Sequence, residues 1–249
     1  MTTLLPTLVA VLVLASLTFG VVRGLGLEQA WLQPWAIVRA TVQLGLLSLV
    51  LAGAIGDPVW VGVFLGAMVL AASWTVRSRL GLAWRLLPFV IVVVAAAAAV
   101  PVAVALGTGA VEASPRFVLA LAGIVVGNVM AVVTLSGRLL GAALVSDREE
   151  IEGWLALGAP SRVAARRSVR ASASSAILPS TDQTRTTGIV TLPGAFVGAV
   201  FAGASPLEAA AFQLVVLASI LAAGALAVAG VSWRFGAPRT LPTEQTPLT

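Results

Sequence analysis

Long apolar runs separated by short polar or Gly/Pro-containing breaks dominate the chain. These runs predict seven membrane helices, at roughly 3–22, 34–55, 58–76, 86–107, 116–145, 187–204 and 208–231. A helix needs about 20 apolar residues to cross about 30 Å of hydrocarbon. The pattern therefore predicts an all-α integral membrane protein, with residues 1–235 as a polytopic domain and residues 236–249 as a disordered tail. No short signal peptide precedes a soluble remainder, so we expect the first run to remain as a span.

Composition supports this fold class and narrows the chemistry. Hydrophobic residues make up 59% of the chain, charged residues only 10%, and the mean hydropathy is +1.04, all far from soluble proteins. The sequence has no Cys, His or Lys, and all fifteen basic residues are Arg. This excludes thiolate or imidazole metal sites and a Walker A lysine. The net charge of +5 fits Arg-rich loops facing anionic lipid, so no nucleic-acid partner is expected.

The arginines also predict an orientation. They follow the first, third, fifth and seventh predicted helices, whereas the other ends carry few basic residues. Positively charged loops remain in the cytoplasm. We therefore expect a multi-pass protein of the cytoplasmic membrane, with its N-terminus outside, residues 147–180 in the cytoplasm and its C-terminus inside.

Residues 147–161, DREEIEGWLALGAPS, hold five of the 25 charged residues of the chain. Residues 147–158 predict a short amphipathic helix ended by Gly158, with one apolar face formed by Ile151, Trp154, Leu155 and Gly158. Glu149 and Glu152 lie opposite. Such a helix either lies in the lipid interface or fills a groove on a partner protein. Acidic residues beside anionic lipid are unfavourable, which favours the partner.

A second helix is predicted over 160–176, with Pro160 in its first turn. One side carries four arginines and the other carries small residues, namely Ala164, Ala165, Ser168, Ala171 and Ser172. The arginines fit ordinary positive-inside placement. The small residues would let this helix pack closely against a membrane helix.

Several stretches together resemble a known transporter family. WLALGAPSRVAARRSVRASASSAILP is similar to the cytoplasmic loop of ATP-binding-cassette (ABC) permeases. RATVQL at 39–44, GNVMAV at 127–132 and the stretch 177–209 resemble iron-export permeases of the FetB type, which have plant relatives linked to aluminium tolerance. The resemblance covers about residues 34–231. One departure is that Gly153 and Trp154 follow Glu152, where the classical loop opens Glu-Ala-Ala.

The resemblance implies a permease subunit that forms a homodimer and pairs with a separate cytoplasmic ATPase. This chain would then bind no cofactor itself, and ATP and Mg would be held by the partner. The resemblance also implies that the 147–159 helix couples the ATPase to the membrane domain. The residues expected to make this coupling are Glu150, Ile151, Glu152, Trp154, Leu155, Leu157, Gly158 and Ala159.

Polar residues inside predicted spans are candidates for a translocation pathway, because they are costly in lipid. Arg39 and Gln43 are one turn apart on one helix face, where Arg39 either snorkels to the headgroups or serves function. Asn128 lies mid-span, as either a substrate ligand or an interhelical hydrogen bond.

The stretch 179–194 supplies the remaining candidates. Pro179 is expected to break any helix running through it. Asp182 and Arg185, at i and i+3, are expected to be able to pair, either at a solvated cytoplasmic entry or at a gate. Pro193 and Gly194 are expected inside a span, at a dimer seam or pathway lining.

The sequence leaves the metal question and two other function classes open. Only oxygen ligands and three Met are available, which would suit a hard ion such as ferric iron, and no metal site can be assigned. An ion-coupled secondary transporter is the alternative function, but no inverted repeat or mid-span carboxylate supports it. An intramembrane enzyme lacks obvious catalytic groups.

Overall fold

The computed structural model describes residues 4–28, 30–54, 56–238 and 241. These residues form helices joined by short turns and contain no β-strand, only an isolated bridge between Thr187 and Thr191. The predicted all-α fold is therefore confirmed. The helices are α1 Leu4–Gly24, α2 Leu32–Ala54, α3 Pro58–Leu80, α4 Leu87–Gly107, α5 Pro115–Ser146, α6 Arg148–Ala156, α7 Ser161–Ala164, α8 Arg166–Thr186, α9 Gly194–Phe201 and α10 Pro206–Phe235.

The chain divides into two compact units, residues 1–56 and 57–249. The first unit contains α1 and α2, which contact each other. The rings of Phe19 and Trp31 lie 4.6 Å apart between their centroids at the turn that joins these two helices.

Local sequence signals set the ends of the helices in the second unit. Asp57 caps α3 by accepting a hydrogen bond from the Val59 amide at 2.8 Å, and Pro58 starts that helix. Ser205 and Glu208 form a capping box at the start of α10, so that side chains satisfy two otherwise free backbone N–H groups. These helix starts follow directly from the sequence.

The helices α5 and α10 form the centre of the second unit and run in the same direction. Phe117 and Phe212, each near the start of its helix, have ring centroids 5.5 Å apart. Phe89, at the start of α4, lies 6.0 Å from Phe235 at the end of α10, so α4 runs the opposite way. We call the end where α5 and α10 finish the arginine-rich end, because Arg138 lies near it in α5 and Arg234 in the last turn of α10.

Five helices among the described residues are long and apolar enough to cross a membrane. They correspond to the predicted spans at 3–22, 58–76, 86–107, 116–145 and 208–231. Helix α2 covers the predicted span at 34–55 but is not among these five. The predicted span at 187–204 is wrong. Residues 187–193 form no helix, and α9 has only eight residues, about 12 Å of helix.

The interpretation of Pro179 as a helix breaker is also wrong. Helix α8 continues through Pro179 to Thr186. Two threonine hydroxyls of this polar helix donate back to main-chain carbonyls: Thr181 to Ile177 at 3.1 Å, and Thr184 to Ser180 at 2.8 Å. Pro179 deprives the Ser175 carbonyl of its usual main-chain donor, and α8 continues past it because the helix packs against α5 and α10.

The predicted disorder of the tail falls mainly on residues 239, 240 and 242–249, which lie outside the described residues.

Candidate functional site

Helix α6 is fixed to the arginine-rich end of the second unit by one buried side chain and several polar contacts. Ile151 is only 1% exposed and belongs to the main hydrophobic core. The Ser168 hydroxyl of α8 donates to Asp147 Oδ2 at 2.6 Å, and Arg167 of α8 pairs with Glu150 at 2.9 Å. The helix is therefore held against α8 along one side.

The other apolar residues of α6 point away from the core. Trp154 is 49% exposed, and Leu157, just after the helix, is 83% exposed. The predicted single apolar face, from Ile151 to Gly158, is thus divided into one inward residue and an outward group. We define this outward group, Trp154, Leu155 and Leu157, as the α6 apolar patch.

Gly158 ends this segment as predicted. Its φ of +87° is left-handed, and its N–H donates to the Leu155 carbonyl while the Ala159 N–H donates to the Trp154 carbonyl. This is the Schellman arrangement, which favours glycine because a Cβ would be strained there. The turn fixes the direction in which Leu157 projects. Glu152, also expected in the coupling group, pairs with Arg148 at 2.7 Å on the helix surface.

Helix α8 runs from the arginine-rich end into the middle of the bundle. The Arg162 guanidinium, just before α8, donates to the Trp233 carbonyl at the end of α10. Further along, Ile177 lies beside Gly224 of α10. Next, Asn128 Nδ2 of α5 donates to Ser180 Oγ at 3.4 Å. These contacts define an antiparallel register between α8 and its two neighbours.

This register corrects the predicted position of Asp182 and Arg185. Asn128 is 13 residues from the start of α5 at Pro115, or about 20 Å into the bundle. Ser180 is beside it, so Asp182 and Arg185 lie beyond the bundle's midpoint and not at its arginine-rich end. They do pair as the spacing suggested, at 3.9 Å, with side chains 64% and 76% exposed. The prediction failed because it assumed that the charges mark a water-exposed helix start.

The outward side of α8 is polar over most of its length. Its exposed residues include Arg167, Arg170, Ser174, Asp182 and Arg185. A charged side chain in hydrocarbon costs about 2.5–3.5 kcal/mol even on the most favourable scale. We define the stretch of this surface from Ser174 to Arg185 as the α8 polar face. It suits contact with water or protein better than contact with lipid tails.

Asn128 is tied to this helix on its nitrogen side only. Its Oδ1 is buried and has no hydrogen-bond partner within the described part of the chain. Of the two functions that the sequence left open, the interhelical hydrogen bond is present, and an acceptor atom stays free for a second contact.

The remaining candidates belong to α2 and to the start of α9. Arg39 and Gln43 are exposed on α2, in the first unit. Pro193 caps α9, and Gly194 begins it, where an added Cβ would meet nothing within 4 Å. The expected place of Gly194 at a dimer seam or pathway lining stays a prediction, and no close contact of Gly194 with another helix occurs within the described residues. No group of three or more acidic side chains that could hold a metal ion occurs among them either.

The sequence interpretation missed two features. The first is the period of four at Ser168, Ser172, Ala176 and Ser180, all buried on one side of α8; this small-residue pattern could have predicted the full helix. The second is a cleft between α6 and α8, of about 410 Å³, lined by Glu150, Trp154, Val163, Ala164, Arg166, Arg167 and Arg170. The sequence interpretation explained these arginines by positive-inside placement alone.

Comparison with known proteins places this architecture in a family. A family model described as "Uncharacterised protein family (UPF0014)" matches residues 4–237. The chain belongs to the UPF0014 family. The names of its relatives confirm the resemblance of this chain to FetB-type permeases.

Three relatives illustrate the family. This UPF0014 chain is 28% identical to the "Probable iron export permease protein FetB" of Escherichia coli, over 77% of the chain and 75% of the relative. It is 31% identical to the rice "UPF0014 membrane protein STAR2", over 88% of the chain and 76% of the relative. It is 36% identical to the Arabidopsis "Protein ALUMINUM SENSITIVE 3", over 42% of the chain and 38% of the relative. No solved structure matches this UPF0014 chain.

Proposed function

We propose that the chain is the membrane permease subunit of an ABC transporter that exports iron, another metal or a small solute. The observation that carries the proposal is the α6 apolar patch. It projects from a charged end of the bundle, while Ile151 anchors the same helix in the core. An exposed apolar side chain with a polar surround suits a protein partner.

The proposed partner is a separate ATPase subunit in the cytoplasm, which binds ATP and Mg²⁺. Its groove would receive Trp154, Leu155 and Leu157. Movement of that groove would pass through α6 into α8, because Asp147 and Glu150 hold α6 to Ser168 and Arg167. Glu152, Gly158 and Ala159 would shape the contact. On this proposal the arginine-rich end faces the cytoplasm, as positive-inside placement expects.

The proposed pathway follows the α8 polar face. Two copies of the chain would bring these faces together around water, so that Asp182 and Arg185 avoid lipid. Asn128 would contact cargo or water from α5 through its free Oδ1. Arg39, Gln43, Pro193 and Gly194 stay candidates for the same pathway. The metal as cargo, and export as the direction, rest on the name of the bacterial relative.

Co-purification tests the proposal directly. The tagged full chain is extracted from its host in mild detergent, and bound proteins are identified by mass spectrometry. The variants are Trp154→Ala and Leu157→Asp. The matched control is Trp60→Ala, because Trp60 is 58% exposed near the start of α3, at the other end of the unit.

We expect an ABC ATPase to accompany the wild type and the Trp60→Ala chain and to be lost from both α6 variants. Absence of any ATPase from a folded wild-type chain would contradict the proposal. Transport by the purified chain alone in liposomes, driven by a proton or sodium gradient, would instead establish a secondary transporter.

A further inference from the structure

The proposed function uses Glu150, Trp154 and Arg167 on the wall of the cleft between α6 and α8 but assigns nothing to its interior. It measures about 410 Å³ and is open on one side. Its lining contains three guanidinium groups and one carboxylate, with Trp154 and Val163 as apolar walls. A concave site that combines a few charged groups with apolar walls is the usual form of a ligand pocket.

Arg166 and Arg170 carry the uncompensated charge of this cleft. The Glu150 carboxylate pairs with the Arg167 guanidinium at 2.9 Å. Arg166 and Arg170 have no ion pair or hydrogen bond to any side chain that the structure describes. They lie at i and i+4 on α8, a spacing at which like charges repel each other. An anion bound between them would remove this repulsion.

The depth of the cleft indicates where such an anion would come from. Ser180 lies beside Asn128 near the middle of the bundle, and Arg170 is ten residues away along α8, or about 15 Å. Half the thickness of the hydrocarbon core is also about 15 Å. Arg166 lies one turn further out, at about 21 Å, within the headgroup region.

A second helix carries an arginine at the same level. Arg138 on α5 is ten residues from Asn128, which again gives about 15 Å. Two helices that run in opposite directions thus place an arginine at one level. With the middle of α5 placed at the centre of the bilayer, this level corresponds to the boundary between lipid tails and headgroups.

We propose that the α6–α8 cleft binds the phosphate group of an anionic phospholipid from the leaflet at the arginine-rich end. Arg166 and Arg170 donate to the phosphate oxygens, since guanidinium groups match phosphate geometry. Val163 lies against the apolar part of the lipid. Arg167 is held by Glu150 and shapes the cleft wall. The lipid would fix α6 against α8, the two helices that the cleft separates.

The experiment uses the full chain in nanodiscs of phosphatidylcholine mixed with phosphatidylglycerol. Native mass spectrometry measures how much phosphatidylglycerol the released protein retains. The test variant is Arg166→Gln with Arg170→Gln. The matched control is Arg79→Gln with Arg85→Gln, which removes two other exposed arginines, one in the last turn of α3 and one just after it. A third variant, Arg166→Lys with Arg170→Lys, keeps the charge and controls for misfolding.

We expect the apparent affinity for phosphatidylglycerol to fall about 30-fold in the test variant, or about fivefold per arginine. The control should retain phosphatidylglycerol like the wild type, and the lysine variant should retain most of it. Equal retention by the test variant and the control would overturn the site. A parallel thermal-shift titration in detergent uses inorganic phosphate. If phosphate alone stabilises the wild type as much as phosphatidylglycerol does, the lipid assignment is overturned in favour of a soluble anion.

Discussion

Asn128 Nδ2 donates to Ser180 Oγ across the α5–α8 contact, while Asn128 Oδ1 is buried without a partner in the described part of the chain. An unsatisfied buried acceptor costs about 1–3 kcal/mol in stability. Retaining such an atom lowers the stability of the protein. This loss is understandable when cargo or water binds the oxygen. We therefore expect Nδ2 of Asn128 to serve the structure and Oδ1 of the same side chain to serve transport.

Replacing Asn128 by Val tests this separation. The change removes the unsatisfied oxygen together with a hydrogen bond that contributes about 0.6 kcal/mol on average in membrane proteins. We expect unchanged or higher thermal stability but clearly slower transport by the reconstituted complex. Ser180→Ala is the matched control, because it removes the same hydrogen bond and leaves the acceptor in place. Equal transport loss in both variants would show that the hydrogen bond alone matters.

The turn at Gly158 gives a second prediction. Gly158→Ala forces a side chain into a left-handed φ of +87° and costs about 1–2 kcal/mol of local stability. The turn should shift and misdirect Leu157, so that ATPase co-purification falls. Gly153→Ala is the control within the same helix, since an added Cβ there meets nothing within 4 Å.

Gly153→Ala should instead stabilise α6 by about 0.5–1 kcal/mol and leave co-purification intact. The quantity to compare is the ATPase-to-permease ratio in each preparation. Equal ratios for the two glycine variants would contradict the importance of the Gly158 turn.

Two glycines on α10 give a third, purely structural prediction. A Cβ on Gly230 would lie 3.0 Å from both methyl groups of Val93, whereas a Cβ on Gly224 would meet only ordinary contacts at 3.9–4.0 Å. Valine in a helix is confined to one strongly preferred rotamer and cannot move aside. We expect Gly230→Ala to destabilise the α4–α10 contact by about 1–3 kcal/mol.

Gly224→Ala should instead be neutral to stabilising by up to about 1 kcal/mol, because its contacts are at van der Waals distance and alanine favours a helix over glycine. Thermal unfolding of the detergent-solubilised chain, followed by size-exclusion chromatography, compares the two. If Val93→Ala restores the stability of Gly230→Ala, the clash is the cause. Failure of that rescue would assign the loss to another contact.

The sequence interpretation succeeded where one signal dominates and failed where signals compete. The helix start predicted at residue 58 is confirmed at Pro58, whereas the start predicted at 208 lies two residues after the observed start at Pro206. The turn at Gly158 was predicted because only glycine favours its backbone conformation. In α8, Pro179 and the charges near it predicted an interruption of the helix. Tertiary packing of Ser172, Ala176 and Ser180 on α5 and α10 prevailed.

The candidate site was likewise predicted only in part. The amphipathic pattern of α6 identified its apolar residues but not that Ile151 faces the core while Trp154 faces outward. That difference depends on how α8 lies against α6, and a helical wheel of one segment does not contain this information. The depth of Asp182 likewise depends on the register with α5, which follows only from the contact between Asn128 and Ser180.

The α8 polar face gives the last prediction, and the absence of cysteine from the sequence makes it testable without background. Single substitutions Ser174→Cys and Asp182→Cys place a thiol on this face. Val100→Cys is the control, because Val100 is 51% exposed in the middle of the apolar helix α4. If the α8 face borders water, its thiols ionise normally, whereas a thiol in lipid has a raised pKa and little thiolate. We expect a membrane-impermeant maleimide to label the α8 positions at least about tenfold faster than position 100 in the intact assembly. Equal, slow labelling of all three positions would mean that protein or lipid covers this face, which would contradict a water-filled pathway along α8.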